Sequence, residues 1–319
     1  MDKQKDSFYE NQGYKMKRKI DVAFTFDATM WMIAGVSIYS LCKNSGKNCK
    51  YNIYCVVDTT INSAIRNLIA DCVIPPHKIQ FIDFNDSVIK HASYWTRPTS
   101  FPKSAMYRLF LPKLLPKKDK IIYIDTDTII AKDLIELDKI NIKNHLIAAV
   151  PDYSIMETIA NKQELTKHFP KYGLDKMARA GRYINSGVLI MNLKKFRQNY
   201  ITQRAMHIFE QGPGFWCCDQ DTLNIVCANQ ILYLPFRFNR CGQAQWDEVL
   251  NFYMSHGNAP KQLIQDFFDF TILHFVGLKP WTVTEEQYCP HEDIWWSYAA
   301  QTPFFERLQV FRKRITQKH

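Results

Sequence analysis

The chain has 319 residues, of which 46% are apolar and 14% aromatic, and its formal net charge is +10. This apolar content supports a packed core and excludes a globally disordered protein. No segment approaches the roughly 20 consecutive apolar residues that span a bilayer. The charged start "MDKQKDSFYENQGYKMKRK" lacks the apolar centre of a secretory signal, so we expect a cytoplasmic protein. The positive charge suits nucleic acid, an anionic membrane or a phosphorylated substrate, but no nucleic-acid-binding motif accompanies it.

The first part of the chain predicts strands that alternate with helices. Strands are expected at "KIDVAFTFD" (19–27), "YNIYCVVD" (51–58) and "KIQFIDF" (78–84), with helices over 32–46 and 60–73 between them. This alternation predicts parallel βαβ units in an open sheet. Polar residues at the carboxyl ends of such strands line the ligand crevice, and Asp27 and Asp58 lie there. For Asp58 a turn or helix cap is the favoured role.

The second part continues the alternation. We predict a helix over "SAMYRLFLPKLLP" (104–116), ended by Pro116, and a fourth strand over "KIIYIDTDTII" (120–130). A fifth strand follows at 145–152, a helical excursion or loop at 153–182, and a strand leading into a helix at 183–197. Residues 219–229 favour a helix, and "FTILHFVGLKPW" (270–281) a strand and a loop.

Nine cysteines are distributed along the chain. The number is odd, Cys217 and Cys218 are adjacent, and no Cys-x-x-Cys pair occurs. Disulfide frameworks and zinc sites have regular spacings that are absent here. We therefore predict reduced structural thiols.

Asp125 and Asp127 follow the apolar part of the predicted fourth strand, and two chemistries use such a pair. The aspartates can hold a divalent metal against a diphosphate. With Thr128 they also resemble the catalytic strand of haloacid-dehalogenase phosphatases, in which the first aspartate is the nucleophile. Those phosphatases open their domain with this strand, whereas here three predicted βα units precede it. "DQDTLN" (219–224) can still supply the acidic pair they need, so the alternative stays open.

His274, in "HFVGLKPW" (274–281), is the candidate for a third metal ligand. Manganese accepts imidazole beside carboxylates. A lone histidine after an apolar run is more often a core residue. Gly277 and Lys279 follow it within five residues, and they offer close backbone approach and a positive charge for a phosphate.

Seven ordered blocks resemble glycosyltransferase family 8, the retaining family that includes bacterial lipopolysaccharide galactosyl- and glucosyltransferases and glycogenin. The resemblance extends from about residue 20 to 303, and its blocks are "VAFTFD", "AMYRLFLPKLLP", "KIIYIDTDTII", "YINSGVLIMNLKKFR", "DQDTLN", "HFVGLKPW" and "WWSYAAQTPF". It implies a GT-A type fold, an α/β architecture with a single open mixed sheet flanked by helices. Beyond the residues that the resemblance covers, the basic end of the chain predicts a short helical C-terminal tail.

The resemblance also implies the site. The metal ligands would be Asp125, Asp127 and His274, holding Mn²⁺ or Mg²⁺. Asp219 and Gln220 would act at the reacting sugar, with Gln220 nearest its reacting face. The expected donor-binding residues are Asp27, Arg108, Asp125, Asn185, Gly277 and Lys279. After Asp27 the family often has a second acidic or polar residue, but this chain has Ala28, which weakens the expected base and ribose contacts.

The implied reaction is retaining transfer of galactose or glucose from a UDP-sugar to a glycan or glycolipid acceptor. The expected acceptor is the lipopolysaccharide or lipooligosaccharide outer core. An amide at Gln220 is a poor nucleophile, which favours departure and attack on the same face over a double displacement. The alternatives are the phosphohydrolase and a non-catalytic nucleotide-sugar-binding protein.

Three parts are predicted along the chain: a charged extension (1–19), the transferase domain (20–281) and an aromatic, then basic, segment (282–319). The end "RLQVFRKRITQKH" mixes basic and apolar residues, as in helices that lie on anionic lipid. We expect peripheral binding to the inner face of the bacterial cytoplasmic membrane, with a solvated tail as the alternative. Trp295, Trp296 and Tyr298 either pack on the domain or line the acceptor cleft.

Overall fold

A computed structural model describes residues 18–89, 103–156, 173–211, 217–241, 249, 261–284 and 286–316. Nearly all of the predicted extension and residues 157–172 of the predicted excursion lie outside these ranges.

In the described ranges, ten strands form two sheets. The strands are β1 Arg18–Phe26, β2 Cys49–Val57, β3 Lys78–Asp83, β4 Ile121–Ile124, β5 Thr128–Ile130, β6 Ile147–Pro151, β7 Ile184–Met191, β8 Ile231–Tyr233, β9 Arg240–Cys241 and β10 Ile272–His274. Seven of them make a sheet in the order β3-β2-β1-β4-β7-β6-β8, and three make a small sheet in the order β5-β10-β9. The large mixed sheet confirms the predicted architecture. The small sheet is additional, so the expectation of one sheet was incomplete.

Helices cover the large sheet. The described α-helices are Trp31–Lys43, Ser63–Ala70, Leu111–Leu114, Ile135–Lys139, Leu174–Arg179, Leu193–Gln198, Ile201–Gln211, Cys218–Cys227, Lys261–Phe268, Glu292–Ala299 and Phe305–Thr316. The predicted helix at 104–116 is a 3₁₀ helix, Lys103–Phe110, that continues into the short α-helix Leu111–Leu114 and ends before Pro116.

The strand directions decide which residues meet. β1, β2, β3 and β4 are mutually parallel, but β7 runs antiparallel to both β4 and β6. Consequently the carboxyl ends of β1, β4 and β6 lie at the same edge as the amino end of β7. The parallel units predicted for the first part of the chain are present in the first four strands, and the antiparallel β7 makes the sheet mixed, as the family resemblance implied.

The predicted fourth strand is two strands. β4 ends at Ile124, the chain turns through Asp125–Asp127, and β5 joins the small sheet. β5 pairs antiparallel with β10, so that Thr128 lies opposite His274. The chain therefore passes from the large sheet to the small sheet at the two aspartates. Because β5 pairs with β10, His274 at the end of β10 lies near them.

The core lies on both faces of the large sheet. In β1, Val22, Phe24 and Phe26 belong to the cluster on one face, and Ala23 belongs to the other. A strand buried on both faces has a continuous apolar sequence, which explains "VAFTF". All nine cysteines are free thiols in this structure, and eight of them are buried.

The C-terminal segment packs on the helix Trp31–Lys43. Trp295 is fully buried, and its ring lies 4.9 Å from that of Trp281. Phe304 lies so close to Gly35 that a Cβ there would be 2.3 Å from its Cζ. For Trp295, packing on the domain is thus the correct alternative. Among the described helices, none has the length and apolar character needed to cross a membrane.

Candidate active site

Asp125 is held by three groups at the end of β4. Its Oδ1 accepts hydrogen bonds from the Tyr123 hydroxyl at 2.6 Å and from Arg108 Nη2 at 2.7 Å. Its backbone N–H donates to the Gly187 carbonyl of β7 at 2.7 Å. The second carboxylate oxygen, Oδ2, points toward His274, whose Nε2 lies 3.9 Å away. One oxygen is thus fixed by the protein, and the other faces the histidine.

Asp125, Asp127 and His274 form a cluster that fits a divalent cation. One ligand atom from each residue lies within 4.8 Å of the others, and Asp127 Oδ1 is 3.2 Å from His274 Nε2. The other oxygen of Asp127 contacts the Lys279 ammonium. Burial alone would raise the pKa of the Asp127 carboxyl, but Lys279 and His274 outweigh it and hold that pKa well below its usual range. Two carboxylates and one imidazole suit manganese or magnesium better than a soft metal.

His274 is fixed from behind. It is only 4% exposed, and its Nδ1 makes a 2.9 Å hydrogen bond with the side-chain oxygen of Asn239. Gly187 gives the ring its space, since a Cβ at Gly187 would lie 2.1 Å from His274 Cε1. The glycine of "INSG" is therefore required by the close approach of an imidazole ring rather than by a backbone turn.

Arg108 connects the metal cluster to the helix Cys218–Cys227. It is 3% exposed, bonds Asp125, and has its Nε 3.2 Å from Asp219 Oδ2. Its Nη1 donates to the carbonyl of Ser186 at 2.6 Å. Burial by itself would lower the pKa of the guanidinium, but Asp125 and Asp219 raise it above its ordinary value. Arg108 is therefore a buried ion-pair residue and not a solvated surface arginine.

Asp219 and Gln220 begin the helix Cys218–Cys227 and face β7. Asp219 Oδ2 accepts a hydrogen bond from the Ser186 hydroxyl at 3.0 Å, and burial, opposed by Arg108, raises the pKa of this carboxyl. Gln220 Oε1 accepts from the Ser186 backbone N–H at 3.0 Å. Gln220 Nε2 donates to Asp152 Oδ2 at 3.1 Å and to the Tyr183 hydroxyl at 3.2 Å. The Gln220 amide is therefore held at both ends.

Asp27 and Asp58 occupy equivalent loops after β1 and β2. Asp27 Oδ1 accepts hydrogen bonds from the backbone and hydroxyl of Thr29, and its Oδ2 accepts from the Ser104 hydroxyl at 3.0 Å. Asp58 makes the same local turn with Thr60. Asp58 thus has the turn role that was favoured for it. Ser104 precedes Arg108 on the same 3₁₀ helix, which connects the loop after β1 to the metal cluster.

Gly277 and Lys279 lie in the loop after β10. Gly277 has a φ of 80°, a left-handed backbone conformation that residues other than glycine rarely adopt. The Phe275 N–H donates to the Asp127 carbonyl at 2.9 Å, which fixes the start of this loop on the Asp125–Asp127 turn. Lys279 then folds back so that its ammonium contacts both Asp127 and the Phe275 carbonyl.

The sequence interpretation missed two buried residues of this site. Asp152, 4% exposed, directly follows β6, and the rule that selected Asp27 and Asp58 could have found it. Asn239 is completely buried behind His274 and lies in an irregular connection after a 3₁₀ turn, where no periodic pattern marks it. Asn185, which was predicted, joins these two, since it bonds both.

The large mixed α/β sheet flanked by helices has the GT-A fold of glycosyltransferases, and solved structures agree. The protein matches the galactosyltransferase LgtC, solved in complex with donor and acceptor sugar analogs, with a TM-score of 0.62 and 20% identity over 93% of this chain and 96% of that one. It matches the bifunctional glycosyltransferase WbbM with a TM-score of 0.70 and 20% identity, over 92% of this chain and 52% of that one. Likeness at this identity establishes the fold.

The sequence establishes the family. Residues 21–285 match the model of glycosyl transferase family 8, and the chain belongs to that family. A putative glycosyltransferase of Haemophilus influenzae is 29% identical over 69% of this chain and 63% of its own length. The lipopolysaccharide 1,2-glucosyltransferase of Escherichia coli K12 is 24% identical over 82% of this chain and 72% of its own length. The chain thus spans under two thirds of the Haemophilus relative.

Proposed function

We propose that this protein transfers a hexose, galactose or glucose, from a UDP-sugar to a glycan acceptor with retention at the anomeric carbon. The observation that carries the proposal is the cluster of Asp125, Asp127 and His274 beside the Lys279 ammonium at the ligand edge of the sheet. A diphosphate needs positive charge, and this cluster offers a metal site and a lysine together. Family membership supports the same chemistry.

Asp125, Asp127 and His274 would hold Mn²⁺ or Mg²⁺. When bound, the cation supplies Lewis-acid stabilisation of the negative charge that develops on the departing UDP. Side chains of the protein would add positive charge at the same place. Lys279 is already directed to the site by Asp127, so its ammonium needs little reorganisation to meet a phosphate oxygen. Gly277, two residues before Lys279, provides the left-handed backbone conformation of this loop.

The remaining residues have distinct roles in this proposal. Asp27 would bind the uracil or ribose at the end of β1. Asn185 and Asp219 would bind hydroxyl groups of the donor sugar. Arg108 would contribute positive charge near the diphosphate or sugar while fixing Asp125 and Asp219 relative to each other, because it bonds both carboxylates.

Retention would proceed on one face of the sugar. Gln220 is the residue proposed nearest the reacting face, and a neutral amide is a poor nucleophile. Its two ends are held by Ser186, Asp152 and Tyr183, so its carbonyl dipole has a fixed direction. A fixed dipole can stabilise an oxocarbenium-like species without forming a covalent bond. Departure of UDP and attack by the acceptor on the same face are thus the favoured course.

The proposed acceptor is a lipopolysaccharide or lipooligosaccharide core. Lipopolysaccharide 1,2-glucosyltransferases of Escherichia coli are among the relatives, which supports this class. The helix Phe305–Thr316 would hold the enzyme at the cytoplasmic face of the membrane, since its exposed Arg307, Lys313 and Arg314 lie beside the exposed Val310. Such a helix suits an anionic lipid surface.

The phosphohydrolase alternative has little support. Asp125 would be the nucleophile of a phosphohydrolase, but its Oδ1 is hydrogen-bonded to Arg108 and Tyr123. The chain also belongs to glycosyl transferase family 8 rather than to a phosphatase family.

A donor screen tests the proposed function. The protein is incubated with UDP-glucose, UDP-galactose and other UDP-sugars with Mn²⁺, and released UDP is measured with and without a lipooligosaccharide acceptor. We expect acceptor-stimulated UDP release with one of the two hexoses, and a product with the donor's anomeric configuration by NMR. Release of phosphate from a monoester, or no turnover with any UDP-sugar, would contradict the proposal.

A further inference from the structure

A chain of buried side-chain hydrogen bonds runs from Asp152 to the candidate metal ligand His274. Asn185 Nδ2 donates to Asp152 Oδ2 at 3.0 Å, and Asn239 Nδ2 donates to Asn185 Oδ1 at 2.7 Å. Asn239 Oδ1 then lies 2.9 Å from His274 Nδ1. We call these four residues the Asp152 relay. Each is at most 4% exposed, so water does not compete for these bonds.

Backbone groups fix the direction of the relay. The Gly187 N–H donates to Asn185 Oδ1 at 2.9 Å, which identifies the carbonyl end of that amide and turns its NH₂ end toward Asp152. Asp152 can receive this NH₂ because an ionised carboxylate only accepts hydrogen bonds. Since Asn185 Oδ1 is an acceptor, Asn239 must present its own NH₂ to it. The carbonyl of Asn239 is thereby left for His274.

The relay determines which nitrogen of His274 keeps its hydrogen. A carbonyl oxygen at 2.9 Å from Nδ1 requires that Nδ1 carry the proton. With Nδ1 committed to Asn239, Nε2, which lies 3.2 Å from Asp127 Oδ1, is the nitrogen that His274 can offer to a cation. Partners behind a histidine ligand commonly fix its tautomer and ring orientation in this way.

Asp152 also orients the candidate reacting-face residue. Its Oδ2 accepts from Gln220 Nε2 at 3.1 Å as well as from Asn185, while its Oδ1 accepts from the Ile155 N–H at 3.1 Å. One carboxylate therefore fixes two amides, one leading to the metal cluster and the other to the proposed reacting sugar. Oδ2 accepts from both amides, while the Ile155 N–H holds Oδ1 and so fixes the carboxylate itself.

We propose that Asp152 is a positioning residue that sets the tautomer of His274, through Asn185 and Asn239, and the orientation of Gln220. The inference rests on the proposed metal-dependent transfer, because it assigns Asp152 to that site. A carboxylate is required, since an asparagine at this position has only one accepting oxygen. Asp152→Asn, which keeps the size, must leave unpaired either the Ile155 N–H or the two amides of Asn185 and Gln220.

The test compares Asp152→Asn and Asn239→Ala with the wild type in two measurements. The first is Mn²⁺ affinity, from the electron paramagnetic resonance of free Mn²⁺. We expect both variants to bind about 10–100-fold more weakly, as loss of outer partners of metal ligands commonly causes. The second is long-range ¹H–¹⁵N NMR of ¹⁵N-histidine-labelled protein, metal-free and with Mg²⁺. We expect a protonated Nδ1 at His274 in the wild type and an Nδ1 without hydrogen in part or all of each variant.

Asn52→Ala is the matched control. Asn52 also bonds a carboxylate through its amide, with Nδ2 at 3.0 Å from Asp21, but it lies in the amino-terminal half of β2, away from the ligand edge. It should leave both measurements unchanged.

Folded Asp152→Asn protein with wild-type Mn²⁺ affinity and a protonated His274 Nδ1 would overturn the inference. If the wild type itself bound no Mn²⁺, the proposed metal dependence would fail. In that case the NMR result on metal-free protein would still decide the direction of the relay.

Discussion

Gly187→Ala is a small perturbation aimed at His274. The added Cβ would lie 2.1 Å from Cε1 and 2.6 Å from Nδ1 of the ring. Ordinary carbon contacts begin at 3.4 Å, so ring or strand must move by about 1.3 Å. The ring has little room, because His274 is buried and bonded to Asn239. Metal ligand distances tolerate only about ±0.2 Å.

We therefore expect Gly187→Ala to weaken Mn²⁺ binding at least tenfold. Misplacement of about 1 Å at a catalytic site can lower turnover about 100-fold, and we expect a loss of that order in UDP release. Overpacking should also lower the free energy of unfolding by about 1–3 kcal/mol. The assays are Mn²⁺ titration, UDP release at saturating donor and thermal unfolding.

Gly35→Ala controls for overpacking. Its Cβ would lie 2.3 Å from Phe304 Cζ, a similar clash under the C-terminal segment rather than at the metal cluster. We expect a comparable loss of stability with wild-type Mn²⁺ affinity. If folded Gly187→Ala bound Mn²⁺ as the wild type does, or if Gly35→Ala weakened binding equally, the reasoning about ring confinement would be refuted.

Three further predictions concern the metal, the reacting face and the tail. Asp127→Asn should abolish Mn²⁺-dependent UDP release while circular dichroism stays unchanged, and full activity in EDTA would defeat the metal assignment. Gln220→Ala should lower the turnover number more than donor affinity, and near-normal turnover would remove any direct role at the reacting centre. Replacing the exposed Arg307, Lys313 and Arg314 by alanine should weaken binding to anionic vesicles about 100-fold, at about 1 kcal/mol per charge. Unchanged co-sedimentation would exclude the tail as the membrane contact.

Much of the large sheet could be predicted because its strands have simple local signals. β1 and β2 are apolar runs that end in aspartate, and a helix with apolar periodicity follows each one. The direction of β7 could not be predicted, because residues 153–182 connect it to β6 and the alternation of strands and helices says nothing about such a long connection. The break between β4 and β5 was also hidden, since "IIYIDTDTII" contains no glycine or proline to mark a turn.

The candidate site also contains residues that the sequence could identify and residues that it could not. His274 lies nearly 150 positions after the two aspartates in sequence, and family resemblance rather than spacing predicted that it would join them. The structure brings them together by pairing β5 with β10. Asn239 could not be found, because its importance comes only from being buried behind His274. Long-range contacts of this kind leave no local pattern.

The turn at Asp125–Asp127 joins two sheets that otherwise have separate hydrogen-bond ladders. In the proposed metal-bound state, one cation would be held by the end of β4 through Asp125 and by the small sheet through His274. Cation binding would then hold the two sheets together at this boundary. At 100 times its dissociation constant, a ligand that binds only the native state stabilises it by about 2.7 kcal/mol. That stabilisation would apply to opening of the small sheet, coupling its amide hydrogen exchange to the concentration of the metal.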